Sequence, residues 1–413
     1  LVVGNFVGMN ALGAVGGATA SVINLILGFF VGVSSGATVV IAQQYGAGNR
    51  ETLSRVVHTT AALSLAAGAV LTVVGVLFVP GTLTLLHQPE ELMADSVTYL
   101  RIYFAGSLGL SLYNACMGIM QAVGDSRHPL YYLIISSVTN VCLDLLFIGV
   151  FRMGVDGAAL ATILAQFLSA ALCLRRLFRT KEDHRLVLRE IRPDREMLRL
   201  ILRYGLPSGF QNSVIGFANV VVQSNINAFG ELAMSGCGAY AKVEGFAFLP
   251  ITSFTSAITT FVGQNLGAEE FDRAKKGARF GILCSLLIAE GIGVITYVFS
   301  PVFIGAFCDS QAAIAFGVDK AHICALFFCL LAATHCLSAV LRGAGRAQVP
   351  MVVMLSVWCV LRVSILWIAV PITQSINTVN WVYPITWSIS TVVLLIYYRK
   401  SDWLHSFQRE KAE

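Results

Sequence analysis

The 413-residue sequence predicts an all-α polytopic membrane protein built as two six-helix bundles related by an internal repeat. Three observations carry that expectation: a composition too apolar for a soluble chain, a series of apolar segments of bilayer length, and motif pairs that recur at one fixed spacing. Apolar residues make up 56% of the chain and charged residues 12%, with a mean hydropathy of +0.74. That charged share is about half of what soluble domains carry.

A spanning helix needs about 20 mostly apolar residues. Eleven segments meet that length, at 17–44, 55–79, 97–122, 128–151, 156–178, 202–228, 237–264, 277–304, 320–343, 348–371 and 376–398. Basic residues collect in alternate loops, as in the cytoplasmic loops of polytopic proteins. Ten fall between Arg175 and Arg203, and Arg50, Arg127, Lys275, Arg346 and the tail from Arg399 lie on the same side. The opposite side receives HQPEELMAD, Glu231 and FCDSQ, which are neutral to acidic. The net charge of +5 is thus spread over loops rather than along a nucleic-acid-binding stripe, so no nucleic acid partner is expected. The expected organisation is an amino-terminal lobe at 1–178, a basic cytoplasmic linker at 179–201, a carboxy-terminal lobe at 202–398 and a cytoplasmic tail at 399–413. The expected setting is the inner (plasma) membrane, as a monomer with both termini cytoplasmic.

The repeat is the strongest organising signal. AQQYGAG at 42–48 matches GQNLGAE at 263–269, and GDSRHP at 124–129 matches GRAQVP at 345–350, both at an offset of 221 residues. A third pair, GMNALGAVG at 8–16 and GELAMSGCG at 230–238, falls at 222. Six segments separate each motif from its counterpart, so the copies share one orientation and are related about an axis normal to the membrane. The partner of the helix at 202–228 falls largely ahead of Leu1. Eleven complete helices of an intact twelve are therefore expected, with most of the first one missing.

Ionisable residues inside a bilayer are costly and mark cavities or partners. Asp144 lies in the middle of SSVTNVCLDLLFIGV, and Asn140 is one turn earlier on the same helix face. Such a pair can share a proton or offer oxygens to a hard cation such as Na⁺, or it can simply join helices. The repeat favours the first reading, because the offset places Leu361 and Ile365 at the equivalent positions. In AYAKVEGFAFLP, Lys242 and Glu244 are two residues apart and do not face one another; Glu244 is a candidate cavity residue and Lys242 can snorkel. Arg362 lies deeper than Arg101 or Arg342 and calls for a carbonyl or cavity partner. Pro207, Pro250 and Pro384 can bend their helices. Phosphate-loop, nucleophile-elbow and zinc motifs are absent, and the ten cysteines read as small apolar residues, so neither enzyme chemistry nor a cofactor is expected.

Taken in order, AQQYGAG, QAVGDSRHP, YGLPSGFQ, GQNLGAEEFDRAKK and RGAGRAQVP resemble the multidrug and toxic compound extrusion (MATE) transporters over essentially the whole sequence. The resemblance implies an alternating-access antiporter that exports organic, often cationic, compounds in exchange for Na⁺ or H⁺, with a small-molecule drug and the lipid bilayer as partners. It also implies an amino-lobe ion site in which Asn140 and Asp144 match the fifth-helix pair and Thr162 the sixth-helix threonine. The family's first-helix aspartate has no counterpart here, nor do the carboxylates that some members carry on the seventh and tenth helices. Gln211, Asn212 and Glu244 are the candidates for the substrate cavity. A flippase for lipid-linked saccharides, from the same broad superfamily, is the alternative; it would be expected to show a more cationic cavity.

Overall fold

Apolar runs of this length leave the backbone one way to satisfy its own polar groups inside a bilayer, the helix. The computed structural model describes residues 18–85, 88–308 and 310–412, and these contain helices and no strand. The helices are α1 Ala18–Gly46, α2 Arg50–Leu85, α3 Glu90–Ala105, α4 Ser107–Ala122, α5 Arg127–Asp144, α6 Val155–Arg179, α7 Arg195–Asn227, α8 Glu231–Gly267, α9 Phe271–Gly305, α10 Gln311–Cys324, α11 Phe328–Gly343, α12 Gln348–Met354, α13 Arg362–Thr373, α14 Ile376–Lys400 and α15 Ser406–Ala412. Two π-helical turns continue the chain between helices, Leu145–Val150 after α5 and Leu355–Leu361 between α12 and α13.

Nine spans among the described residues are long and apolar enough to cross a membrane, ten if the bent pair α3–α4 counts as one. Ten of the expected segments map onto these. The eleventh, 202–228, forms α7, whose run of Gln211, Asn212, Ser213, Asn219, Gln223, Ser224 and Asn225 dilutes its hydropathy. The third motif match at 8–16, and the remnant of a first helix, lie outside the described residues.

Contacts divide the chain into two units, one of residues 1–45 and 49–209, the other of 46–48 and 210–413. The first has a core of Ile41, Val56, Val57, Ile119, Leu177 and Ile201. The second is built on Tyr240, Val262, Phe328, Leu341, Met354 and Trp387. Large apolar side chains such as Leu77, Phe78, Trp367 and Ile372 are exposed, as a surface solvated by lipid requires.

The repeat recurs in the backbone, bond for bond. Gly124 and Gly345 both take positive φ, +92° and +78°, after α4 and α11. The N–H of Asp125 bonds to the Met120 carbonyl at 2.9 Å, and that of Arg346 to Leu341 at 2.8 Å. At the other motif, Gly48 has φ +65° and its counterpart Glu269 φ +61°, a strained value for a side chain with a Cβ. The 48° bend between α3 and α4 falls at Gly106, where a Cβ would stand 2.3 Å from the Ile163 side chain of α6. The same offset reaches Phe327, at the end of the 3₁₀ turn that separates α10 from α11.

The basic segment after α6 is stitched to α2 of the first unit. Arg55 donates to the Asp194 carboxylate at 3.0 and 2.8 Å and to Glu196 at 2.9 Å. Asp194 also caps α7, accepting from the N–H groups of Glu196 and Met197. The N–H of Val187 donates to His58 Nε2 at 2.9 Å, and that of Asp194 to Thr59 Oγ1 at 3.1 Å. Met197 and then Arg55 hold the Asp194 carboxyl below its ordinary range.

Candidate functional site

In the first unit, α5 and α6 bring the predicted ion residues together. Asn140 and Asp144 stand one turn apart at the end of α5, where the helix widens into the π-helical turn Leu145–Val150, a distortion frequent at functional sites. Both are half-buried, and Asn140 Nδ2 and Asp144 Oδ1 are buried atoms with no hydrogen-bond partner. On α6, the Thr162 hydroxyl donates to the Ala158 carbonyl at 2.9 Å, so its oxygen acts as an acceptor towards its neighbour Tyr99. Tyr99 of α3 lies beside both Thr162 and Asp144, stacked on Tyr103 with ring centroids 6.4 Å apart. Tyr103 in turn neighbours Gln166, one turn beyond Thr162, whose Oε1 is buried and unpaired. Each unpaired buried polar atom costs about 1–3 kcal/mol unless something binds it. A proton or a small hard cation supplies what the Asp144 and Gln166 oxygens lack, whereas the Asn140 amide N–H is a donor and calls for an acceptor.

A second feature of the first unit is an apolar cavity of about 170 Å³. Phe29, Phe30, Val33, Leu63, Leu202 and Leu206 line it, with Thr60, Ser64 and Ser111 as polar groups. At that volume it has room for a ring system rather than a whole drug, whose sites usually measure roughly 300 Å³ or more.

The remaining cavity candidates lie in the second unit. Gln211 on α7 is 2% exposed with Oε1 unpaired, and Asn212 beside it is half-buried. Glu244 and Lys242 on α8 point apart, as their spacing requires: Lys242 is exposed, its ammonium 5.2 Å from the Phe307 ring, whereas Glu244 turns towards Lys320 and Arg362. Glu244 therefore has two cations for neighbours, which removes it as a free counter-charge for a cationic compound.

Sequence reasoning missed Lys320. The segment drawn at 320–343 placed it at a membrane edge, but α10 begins at Gln311, which sets Lys320 more than two turns inside. The length of the apolar stretch from Gln311 was the signal available. Arg362, singled out as needing a partner, has three: its Nη2 donates to Thr386 Oγ1 at 2.7 Å, and its guanidinium carbon lies 5.0 Å from the Trp358 ring and 4.8 Å from that of Tyr383. Among the described residues, all ten cysteines are free and no cluster of three His, Cys, Asp or Glu side chains could hold a metal.

Repeated helical lobes with buried polar and charged side chains inside apolar walls are the architecture of a membrane transporter. The MatE family profile matches residues 1–146 and 207–368, and the chain belongs to that family. A probable multidrug resistance protein, YoeA of Bacillus subtilis, is 30% identical over 97% of this chain and 88% of its own length. The probable multidrug resistance protein NorM of Thermotoga maritima is 29% identical over 79% of this chain and 72% of its own. In fold, the chain is similar to an outward-facing multidrug resistance MATE transporter with a TM-score of 0.90, at 23% identity over 96% of this chain and 89% of that one.

Proposed function

We propose that the protein is a secondary active multidrug antiporter of the plasma membrane, exporting drug-like organic compounds, cations among them, in exchange for Na⁺ or H⁺. The family and the names of its relatives, all transporters rather than enzymes, support the export of small molecules. The observation that carries the coupling is the unpaired buried Asp144 Oδ1, one turn from Asn140 and beside Tyr99, which in turn neighbours Thr162. An ion at Asp144 neutralises the carboxylate in an apolar lobe and gives the oxygens around it a partner. Loss of the ion restores a buried negative charge, and the π-helical turn that follows Asp144 is the element able to repack in response. Drug and ion then act on one equilibrium between inward- and outward-open states, each favouring a different side.

Efflux of ethidium from proteoliposomes under imposed Na⁺ or H⁺ gradients tests this reading. The parent should export dye under one gradient, which names the ion, and Asp144→Asn should fall to background while remaining folded. Gradient-driven efflux retained in Asp144→Asn would remove Asp144 as the coupling residue.

A further inference from the structure

The offset that relates the two lobes also relates two buried groups of opposite charge. Tyr99 maps onto Lys320, Thr162 onto Tyr383, Tyr103 onto Cys324 and Ile23 onto Glu244. The contacts obey the same map. Tyr99 lies beside Thr162, and the Lys320 ammonium lies 4.8 Å from the centre of the Tyr383 ring. Ile23 packs on the cluster that holds Tyr99, and Glu244 neighbours Lys320 electrostatically. One cluster of facing side chains has therefore been built twice. The first copy carries the carboxylate of Asp144; in the second its equivalent is Ile365, and Arg362 stands where the first copy has Val141.

The charges of the second copy do not balance. Lys320 is 4% exposed and Arg362 1%, and the one acidic group beside them is Glu244. Lys320 rests on the faces of Tyr240 and Tyr383, at 5.5 and 4.8 Å, and no described residue offers its ammonium a hydrogen bond or a carboxylate within 4.0 Å. The Nε of Arg362 is buried without a partner. So are both side-chain polar atoms of Asn380, whose carbonyl accepts from Cys324 Sγ at 3.6 Å, one turn from Lys320. Aromatic faces offset part of the cost of burying a cation but supply no counter-charge. Glu244 and Tyr383 are half-buried, so the group reaches the molecular surface at these two side chains.

We propose that this recess binds an organic anion, whose carboxylate, sulfonate or phosphate sits between Lys320 and Arg362 while its apolar body lies against Tyr240, Tyr383 and Trp358. An ammonium and a guanidinium edge are the two donors suited to such a group, the guanidinium through paired N–H bonds. Glu244 stands beside the anion and sets its affinity by repulsion, which allows release. The export of that anion rests on the transport reading above; its binding does not, and binding is what the test measures.

The probes are carboxyfluorescein as anion and ethidium as cation, titrated against the purified full chain in detergent by fluorescence polarisation, with thermal unfolding as the second readout. Carboxyfluorescein should bind and raise the Tm of the parent. Lys320→Gln and Arg362→Gln should each weaken it by roughly tenfold or more, Glu244→Gln should tighten it, and the exposed Lys242→Gln should change nothing. A polyprenyl phosphate in mixed micelles forms a second arm. Displacement of the dye by the lipid names a lipid-borne phosphate as the natural anion; failure to displace it names a soluble one, and either supports an anion site. The proposal is overturned if neither anion raises the Tm of the parent, or if the dye binds the Lys320 and Arg362 variants as it binds the parent. Where a variant does not fold, the Tm shift of the parent decides alone.

Discussion

The two lobes share a backbone and differ in the sign of what they bury. In the first, Asp144 sits at the leading edge of a π-helical turn with the uncharged Tyr99, Asn140 and Thr162 as described neighbours. In the second, Arg362 sits at the trailing edge of a π-helical turn on the corresponding helix, and Lys320 stands where the first lobe has Tyr99. The positive-φ turns and their hydrogen bonds recur at one offset, because packing and backbone geometry constrain them in both copies, whereas the two π-helical turns do not keep it. The polar side chains buried inside each lobe carry no such constraint, and there the copies have diverged: the first holds the carboxylate of Asp144, the second two cations beside one carboxylate.

The sharpest way to break this comparison is to make the same chemical change in both recesses. Glu244→Gln removes the single carboxylate beside two buried cations and should destabilise the protein by about 3 kcal/mol, a typical cost of leaving buried charge uncompensated. Asp144→Asn replaces a carboxylate by an isosteric amide among neutral groups and should leave the unfolding free energy within about 1 kcal/mol of the parent, although it should abolish coupled transport. Thermal unfolding of the two variants side by side checks this. Equal losses would mean that the recesses do not differ in charge balance.

The sequence made the shared part legible and half of the divergent part. The eleven segments, the 221-residue offset and the Asn140–Asp144 pair could be read because hydropathy and motif spacing report on the backbone, and because a carboxylate amid Leu and Phe stands out; Thr162 entered only through the family resemblance. Lys320 could not be read the same way. A lysine near the drawn end of an apolar segment looks like a snorkelling residue, and only the true start of α10 at Gln311 shows that it is inside. Glu244 was visible as a residue but not as one member of a cationic group, since its partners come from α10 and α13, some 76 and 118 residues away.

Backbone differences between the copies predict smaller effects. Gly106→Ala should cost about 2 kcal/mol, because a Cβ there meets Ile163 and the bend between α3 and α4 must give. Adding Ile163→Ala should return part of that loss, and a double-mutant cycle measures the coupling. Additive losses would show that the bend does not depend on this contact. At the other motif, Gly48→Ala should destabilise by about 1 kcal/mol through its positive φ, whereas Glu269→Gly, at nearly the same φ in the second copy, should be neutral or slightly stabilising.

The smallest effect belongs to an element that occurs once, the basic segment pinned to α2. Asp194 caps α7 and pairs with Arg55, and the Met197 N–H together with that guanidinium keeps its carboxyl below the usual value. A carboxyl whose folded pKa is depressed stabilises the fold fully above its unfolded value, about 3.9, and loses that contribution as pH falls through the lower folded value. Asp194→Asn keeps a capping oxygen but gives up the charge, and the pair is partly exposed, so the loss at neutral pH should be about 0.5 kcal/mol. Measured as Tm against pH, parent and variant should differ by a constant amount at neutral pH and converge as pH falls through the depressed folded value of Asp194. A gap that persists into acid would mean that Asp194 holds the segment through its cap alone, and that the Arg55 pair contributes nothing to anchoring it on the first unit.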